Sequence, residues 1–130
     1  MSNAPADKKI GLFTNVKTES EADYQASVAK IDQQLAEHGL LLYMKGEPAD
    51  PMCGFSAKAV KLLQQCGVEN IASVDILDPK NQGIRNAIKE YKKWPTFPQL
   101  YINGKLVGGV DIMQELYDDG ELQTLVQEFT

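Results

Sequence analysis

Cysteine is scarce in this sequence: Cys53 and Cys66 are the only two among 130 residues. Two thiols are too few to staple a secreted disulfide scaffold, so the simplest compartment is a reducing one. Long hydrophobic runs are missing as well. Those present, such as Leu40-Leu41-Leu42-Tyr43-Met44, have the length of a strand and fall far short of the roughly 20 residues that a membrane-spanning helix needs. The opening stretch from Ala4 to Lys9 is mixed and polar, without the apolar heart of a secretory signal. An excess of positive charge is also lacking, and the net charge of −5 argues against nucleic acid as a bulk partner. No internal repeat is visible. What is present, 43% hydrophobic residues, is enough to build one core-bearing domain of ordinary size.

The charge is unevenly placed. Lys45 to Lys105 holds nine basic residues against six acidic ones, whereas Asp111 to Thr130 holds six acidic residues and no basic one. Two solvated faces would explain this, and so would a middle segment that surrounds a site for a small anion.

Residues 1–23 read as a flexible polar tail, broken only by the short cluster Ile10-Gly11-Leu12-Phe13. Order is expected from Tyr24 to Thr130. Val28, Ile31 and Leu35 recur at helical spacing up to a stop at Gly39. Leu40 to Met44 then reads as a strand covered on both faces, and Lys45 to Met52, with Gly46, Pro48 and Pro51, as a loop. Phe55 to Cys66 is helical and stops at Gly67. Ile71 to Leu77 reads as a second strand and Lys80 to Lys92 as a third helix. Pro98 to Ile102 and Lys105 to Val107 form a hairpin across Asn103-Gly104, a dipeptide that a type I′ turn prefers. Asp111 is expected to cap a fourth helix, and Glu121 to Phe129 to form a last one after Gly120. The first two strands, joined by a helix, make a right-handed parallel unit to which the hairpin adds antiparallel strands. The fold class is therefore α/β, a four-stranded mixed sheet with helices on both faces.

Cys53 stands between a loop and a helix. Unpaired N–H groups and partial positive charge at a helix start favour thiolate over thiol. Lys45, at the end of the first strand, can add positive charge. A cysteine chosen only for packing sits more often on an apolar helix face, as Cys66 does. Three residues after Cys53 stands Ser56, so no local Cys-x-x-Cys disulfide can close, and Cys53 is left free to ligate a metal.

Trp94-Pro95-Thr96-Phe97-Pro98 places two prolines three apart at a strand edge. Pro98 is either an ordinary strand-edge proline or a cis one, and the cis form would leave the Phe97 backbone open to pair with an extended peptide. Gly108-Gly109-Val110-Asp111 lies at another helix start, a plain cap or a seat for a carboxylate, with Asp111 available to an ammonium group. Arg85 and Lys89, four apart, either face solvent or clamp one carboxylate. A short anionic thiol peptide such as glutathione has the groups that answer this set.

Together Tyr43-Met44-Lys45-Gly46, Cys53-Gly54-Phe55-Ser56, Trp94-Pro95-Thr96-Phe97-Pro98-Gln99 and Gly108-Gly109-Val110-Asp111 resemble the signatures of monothiol glutaredoxins of the CGFS type, in order and at the family's spacing, over about Tyr24 to Phe129. The resemblance implies a thioredoxin fold with Pro98 in cis. It implies glutathione held by Lys45, Cys53, Phe55, Arg85, Lys89, Phe97, Pro98, Val110 and Asp111. It also implies a [2Fe–2S] cluster shared by two chains, each giving Cys53 as metal ligand and each accompanied by one glutathione thiolate. The apo chain would be a monomer. The implied partners are iron–sulfur assembly factors, apo recipient proteins and a BolA-like protein, with neither nucleic acid nor membrane. The implied role is cluster carrier; the alternative is a weak glutathione-dependent oxidoreductase with Cys53 as catalytic thiol. A single-domain class fits, and the polar leader points to the mitochondrial matrix, with bacterial cytoplasm as the alternative. Val110 departs from the family, many of whose members carry cysteine or serine there; a backbone contact would tolerate it. Cys66 matches a cysteine of some relatives and reads as a core residue, or as a partner of Cys53 in a regulatory disulfide.

Overall fold

The structure is a computed structural model that describes residues 20–130. Helix α1, Glu21–Glu37, begins three residues earlier than expected, because Ser20 caps it: Ser20 Oγ accepts from Asp23 N–H at 3.1 Å. Glu21 and Asp23 in its first turn complement the helix dipole. The rest of the tail assigned to residues 1–23, including Ile10 to Phe13, lies outside the described residues.

Strand β1, Leu40–Met44, is buried along its whole length and divides the core in two. Leu40, Leu42 and Met44 face one layer, formed by helices α2 (Gly54–Gln65), α4 (Val110–Asp118) and α5 (Glu121–Val126). Leu41 and Tyr43 face the other, formed by α1 and α3 (Gln82–Tyr91). Alternation of side chains across a pleated strand produces this division. Each large apolar side chain fully buried this way contributes about 2 kcal/mol.

The sheet runs β4-β1-β5-β6, where β4 is Ser73–Asp75, β5 is Gln99–Ile102 and β6 is Lys105–Gly108. β1 pairs parallel with β4 and antiparallel with β5, and β5 pairs antiparallel with β6. This is the expected four-stranded mixed sheet. Asn103 and Gly104 both take positive φ, 50° and 80°, as a type I′ turn requires.

Four details differ from the sequence expectation. The Lys45 to Met52 loop contains a short antiparallel pair, β2 (Gly46–Glu47) with β3 (Asp50–Pro51). The second strand is only three residues long, and at its end the Asp75 carboxylate turns the chain by accepting the Leu77 amide. Helix α4 is capped by Gly109, so Asp111 is not the cap and lies instead in the first helical turn. The last helix ends at Val126 and tightens into a 3-10 turn over Gln127–Phe129.

Candidate functional site

The carboxyl end of β1, the amino end of β5 and the carboxyl end of β6 share one edge of the sheet, and the starts of α2 and α4 open onto it. A cavity of about 390 Å³ lies there. Lys45, Phe55, Arg85, Lys89, Phe97, Pro98, Val110 and Asp111 all line it. The structure thus brings together every site residue expected from the sequence except Cys53, which caps the adjoining helix two residues before Phe55.

Cys53 is half-buried. No amide reaches its sulfur with strict hydrogen-bond geometry, yet the Ser56 and Phe55 amides at the helix start hold its pKa below the ordinary thiol value. Partial burial pushes the other way, and the positive charge of Lys45 and the Ser56 hydroxyl add to the lowering. Cys66 is buried at the far end of α2, and burial alone raises its pKa. The 13 residues that separate the two cysteines along the helix correspond to roughly 20 Å at 1.5 Å per residue. An intramolecular disulfide needs Cα atoms closer than about 7 Å, so within this fold Cys66 does not bridge to Cys53.

These opposite environments predict a measurable contrast. Alkylation of Cys53 should rise with pH around a midpoint below that of an ordinary thiol, because the depressed pKa makes thiolate available earlier. Cys66 should stay unmodified in the native chain. Peptide mass spectrometry after iodoacetamide pulses from pH 5 to 10 reads both; a Cys53 profile centred at or above the value of a free thiol contradicts the thiolate assignment.

Ser56, in the place where a dithiol motif has its second cysteine, is fully buried. Its Oγ accepts the Lys45 amide at 3.1 Å. It thereby ties the start of α2 to the end of β1, and with it Cys53 to Lys45. On the opposite wall the Phe97–Pro98 bond is cis, as expected. Among the described residues no hydrogen bond engages the Phe97 backbone, while its ring is covered by the Lys89 ammonium at 5.8 Å. The loop is held from within by Gln99, which is fully buried. Its Nε2 donates to the Trp94 and Thr96 carbonyls at 3.0 and 3.1 Å, and its Oε1 accepts from Tyr101 Oη–H at 2.8 Å. Gln99 and Ser56 belong to the quoted motifs, but sequence gave neither a role; their work is to bind backbone groups, which spacing does not show.

The cavity is lined by charged groups of both signs. Lys45, Arg85 and Lys89 line it, and among the described residues none of them is in an ion pair. Asp111 lies at the start of α4, exposed. Trp94, Pro95, Thr96, Gly109 and Ile112 complete the wall. The indole Nε1 of Trp94 is buried without a partner, and a Cβ at Gly109 would come within 3.4 Å of it and of the Pro98 carbonyl. A side chain at this position would thus lie in ordinary contact with the cavity wall. Among the described residues no group of three metal-ligating side chains gathers.

Comparison with known proteins agrees with this geometry. The family described as Glutaredoxin matches residues 40–107. Glutaredoxin 4 of Escherichia coli (strain K12) is 54% identical over 102 residues, which cover 78% of this chain and 86% of that one. The reduced apo GrxS14 of poplar superposes with a TM-score of 0.69 at 42% identity, over 83% of this chain and 96% of that one. A buckwheat glutaredoxin, solved as a complex with glutathione, superposes with a TM-score of 0.74 at 23% identity over 85% and 96%, a likeness of fold alone. The chain has a thioredoxin fold and belongs to the glutaredoxin family, as a monothiol member of the CGFS type.

Proposed function

We propose that this glutaredoxin binds glutathione in the cavity and, with it, carries a [2Fe–2S] cluster between two chains for delivery to apo proteins. One observation carries the reading: a single thiolate-prone cysteine stands beside a cavity lined by three cations that have no acidic partner among the described residues, and the other cysteine is out of reach. Lys45, Arg85 and Lys89 would take a carboxylate of the peptide. The Phe97 backbone would pair with its extended middle, with Pro98 and Phe55 as walls. The Val110 amide and the Asp111 carboxylate would receive the amino-acid end. Val110 in place of cysteine or serine leaves that amide available. The cluster is cargo, and it needs four thiolates. One from Cys53 and one from glutathione per chain supply four only when two chains meet.

The partners that follow are iron–sulfur assembly factors, apo recipients and a BolA-like protein. The bacterial source of the relative at 54% identity favours bacterial cytoplasm over the mitochondrial matrix. No helix among the described residues is long and apolar enough to cross a membrane.

A second reading rests on the lowered Cys53 pKa. The thiolate would attack the glutathione sulfur of a protein mixed disulfide, releasing the protein thiolate and leaving Cys53 joined to glutathione. A second glutathione thiolate would then break that bond and leave as oxidised glutathione.

Anaerobic reconstitution with iron, a sulfide source and glutathione separates the two. The carrier reading gives a brown protein that elutes as a dimer, and a colourless monomer when a non-thiol reductant replaces glutathione. A stable cluster without glutathione, or a brown protein of unchanged apparent mass, contradicts the shared-ligand arrangement.

A further inference from the structure

Asp75 closes the sheet edge beside the site, at the end of β4, where it pairs with Met44 of β1. Its Oδ1 accepts two amides at 2.9 Å, from Leu77 and from Gly46. The Leu77 bond is local and merely ends the strand. The Gly46 bond reaches 29 positions back along the chain, to the first residue after Lys45. The main-chain carbonyl of Asp75 in turn accepts from Asn81 Nδ2 at 2.9 Å, and Asn81 is buried. Among the described residues no cation pairs with Asp75, so backbone amides are the partners of its carboxylate.

Gly46 is where the chain leaves β1 for the excursion that ends in Cys53. Its φ is +88°, and a Cβ there would lie 2.6 Å from the Asp50 carbonyl and 2.7 Å from the Met52 amide. The excursion therefore folds tightly on itself. It closes where Met52 N–H donates to the Lys45 carbonyl at 2.9 Å, immediately before Cys53. The entry and exit of this loop are thus fixed by two bonds, one from Asp75 to Gly46 and one from Met52 to Lys45. Lys45 sits between them, with its own amide held by Ser56.

We infer that Asp75 is a positioning residue for the thiol site: by holding the Gly46 amide it sets where the loop begins, and so where Lys45 and Cys53 stand relative to each other and to the start of α2. This rests on the reading of Cys53 as the reactive thiolate. Asp75 acts here as a hydrogen-bond acceptor and not as a charge, and the two roles predict opposite signs. Removing a negative charge near a thiolate lowers the thiol pKa; loosening the cation and the helix amides around it raises the pKa.

The test measures Cys53 alkylation against pH in the full chain for wild type, Asp75→Ala and Asp75→Asn. Asparagine keeps an acceptor oxygen and removes the charge. Asp75→Ala should move the Cys53 midpoint upward by about half a pH unit, roughly a threefold loss of thiolate at pH values below the midpoint. Asp75→Asn should leave the midpoint at or below the wild-type value. A midpoint unchanged or lowered in Asp75→Ala overturns the inference, as does an equal rise in Asp75→Asn. Amide hydrogen exchange at Gly46 in wild type and Asp75→Asn is the second measurement, decisive also should Asp75→Ala not fold. Protection in both supports the strut, and exchange at the rate of an open loop in wild type overturns it. An ordinary thiol midpoint in wild type defeats the proposed function instead, and Gly46 protection then still judges Asp75.

Discussion

Cys53→Ser should give a colourless protein after reconstitution with glutathione, and Cys66→Ser a brown one. In a two-chain arrangement the first substitution removes two of the four thiolates that a [2Fe–2S] cluster needs, and a serine hydroxyl does not replace them. Its effect is therefore near-complete loss of the visible charge-transfer absorption, together with loss of the dimer on size exclusion. Cys66 lies at the buried end of α2, 1% exposed, and helix geometry places it roughly 20 Å from Cys53. A hydroxyl there costs about 1–3 kcal/mol of stability if it finds no partner, which lowers the melting temperature and leaves the absorption. Absorption retained in Cys53→Ser would remove Cys53 as ligand; absorption lost in Cys66→Ser with a native melting curve would make Cys66 part of the centre.

The course of β1 and the turn between β5 and β6 were readable because they rest on local chemistry. A continuous apolar run between Gly39 and Lys45 defines a doubly covered strand, and Asn103-Gly104 defines a tight turn whose two positive φ values the structure shows. Placing Cys53, Val110 and the Phe97–Pro98 wall at one sheet edge follows from the order of the strands. Ser20 also acts locally, and its capping pattern before Glu21 and Asp23 was the signal that would have moved the helix start. The supports of the site are different. Asp75 reaches Gly46 across 29 positions, and Ser56 reaches Lys45 across 11. Such bonds join side chain to backbone between segments that meet only in the folded sheet, so neither period nor spacing foretells them. The end of β4 has the same origin, since one carboxylate both turns the chain after the strand and holds the neighbouring loop.

Lys45→Ala should weaken glutathione binding by about 1.5–3 kcal/mol, the scale of a hydrogen bond to a charged group, or roughly ten- to a hundredfold in Kd. The ammonium has two roles in the site. It is one of three cations that line the cavity without an acidic partner among the described residues, and its charge is among the causes that hold the Cys53 pKa down. Removing it should therefore also shift the Cys53 alkylation profile to higher pH, by less than the helix amides of Ser56 and Phe55 contribute, because those are the larger causes. Stability should change little. The Lys45 contacts that organise the fold are made by its backbone, whose N–H donates to Ser56 Oγ and whose carbonyl accepts from Met52; alanine keeps both. The lysine stem is half-buried at the strand end, so its loss removes some apolar cover but no hydrogen bond among the described residues. Isothermal titration with glutathione, alkylation against pH and a melting curve on the same variant read the three effects separately. If Kd and the alkylation midpoint stay at wild-type values while the melting temperature falls by many degrees, Lys45 is a packing residue and the cations that meet the peptide are Arg85 and Lys89 alone.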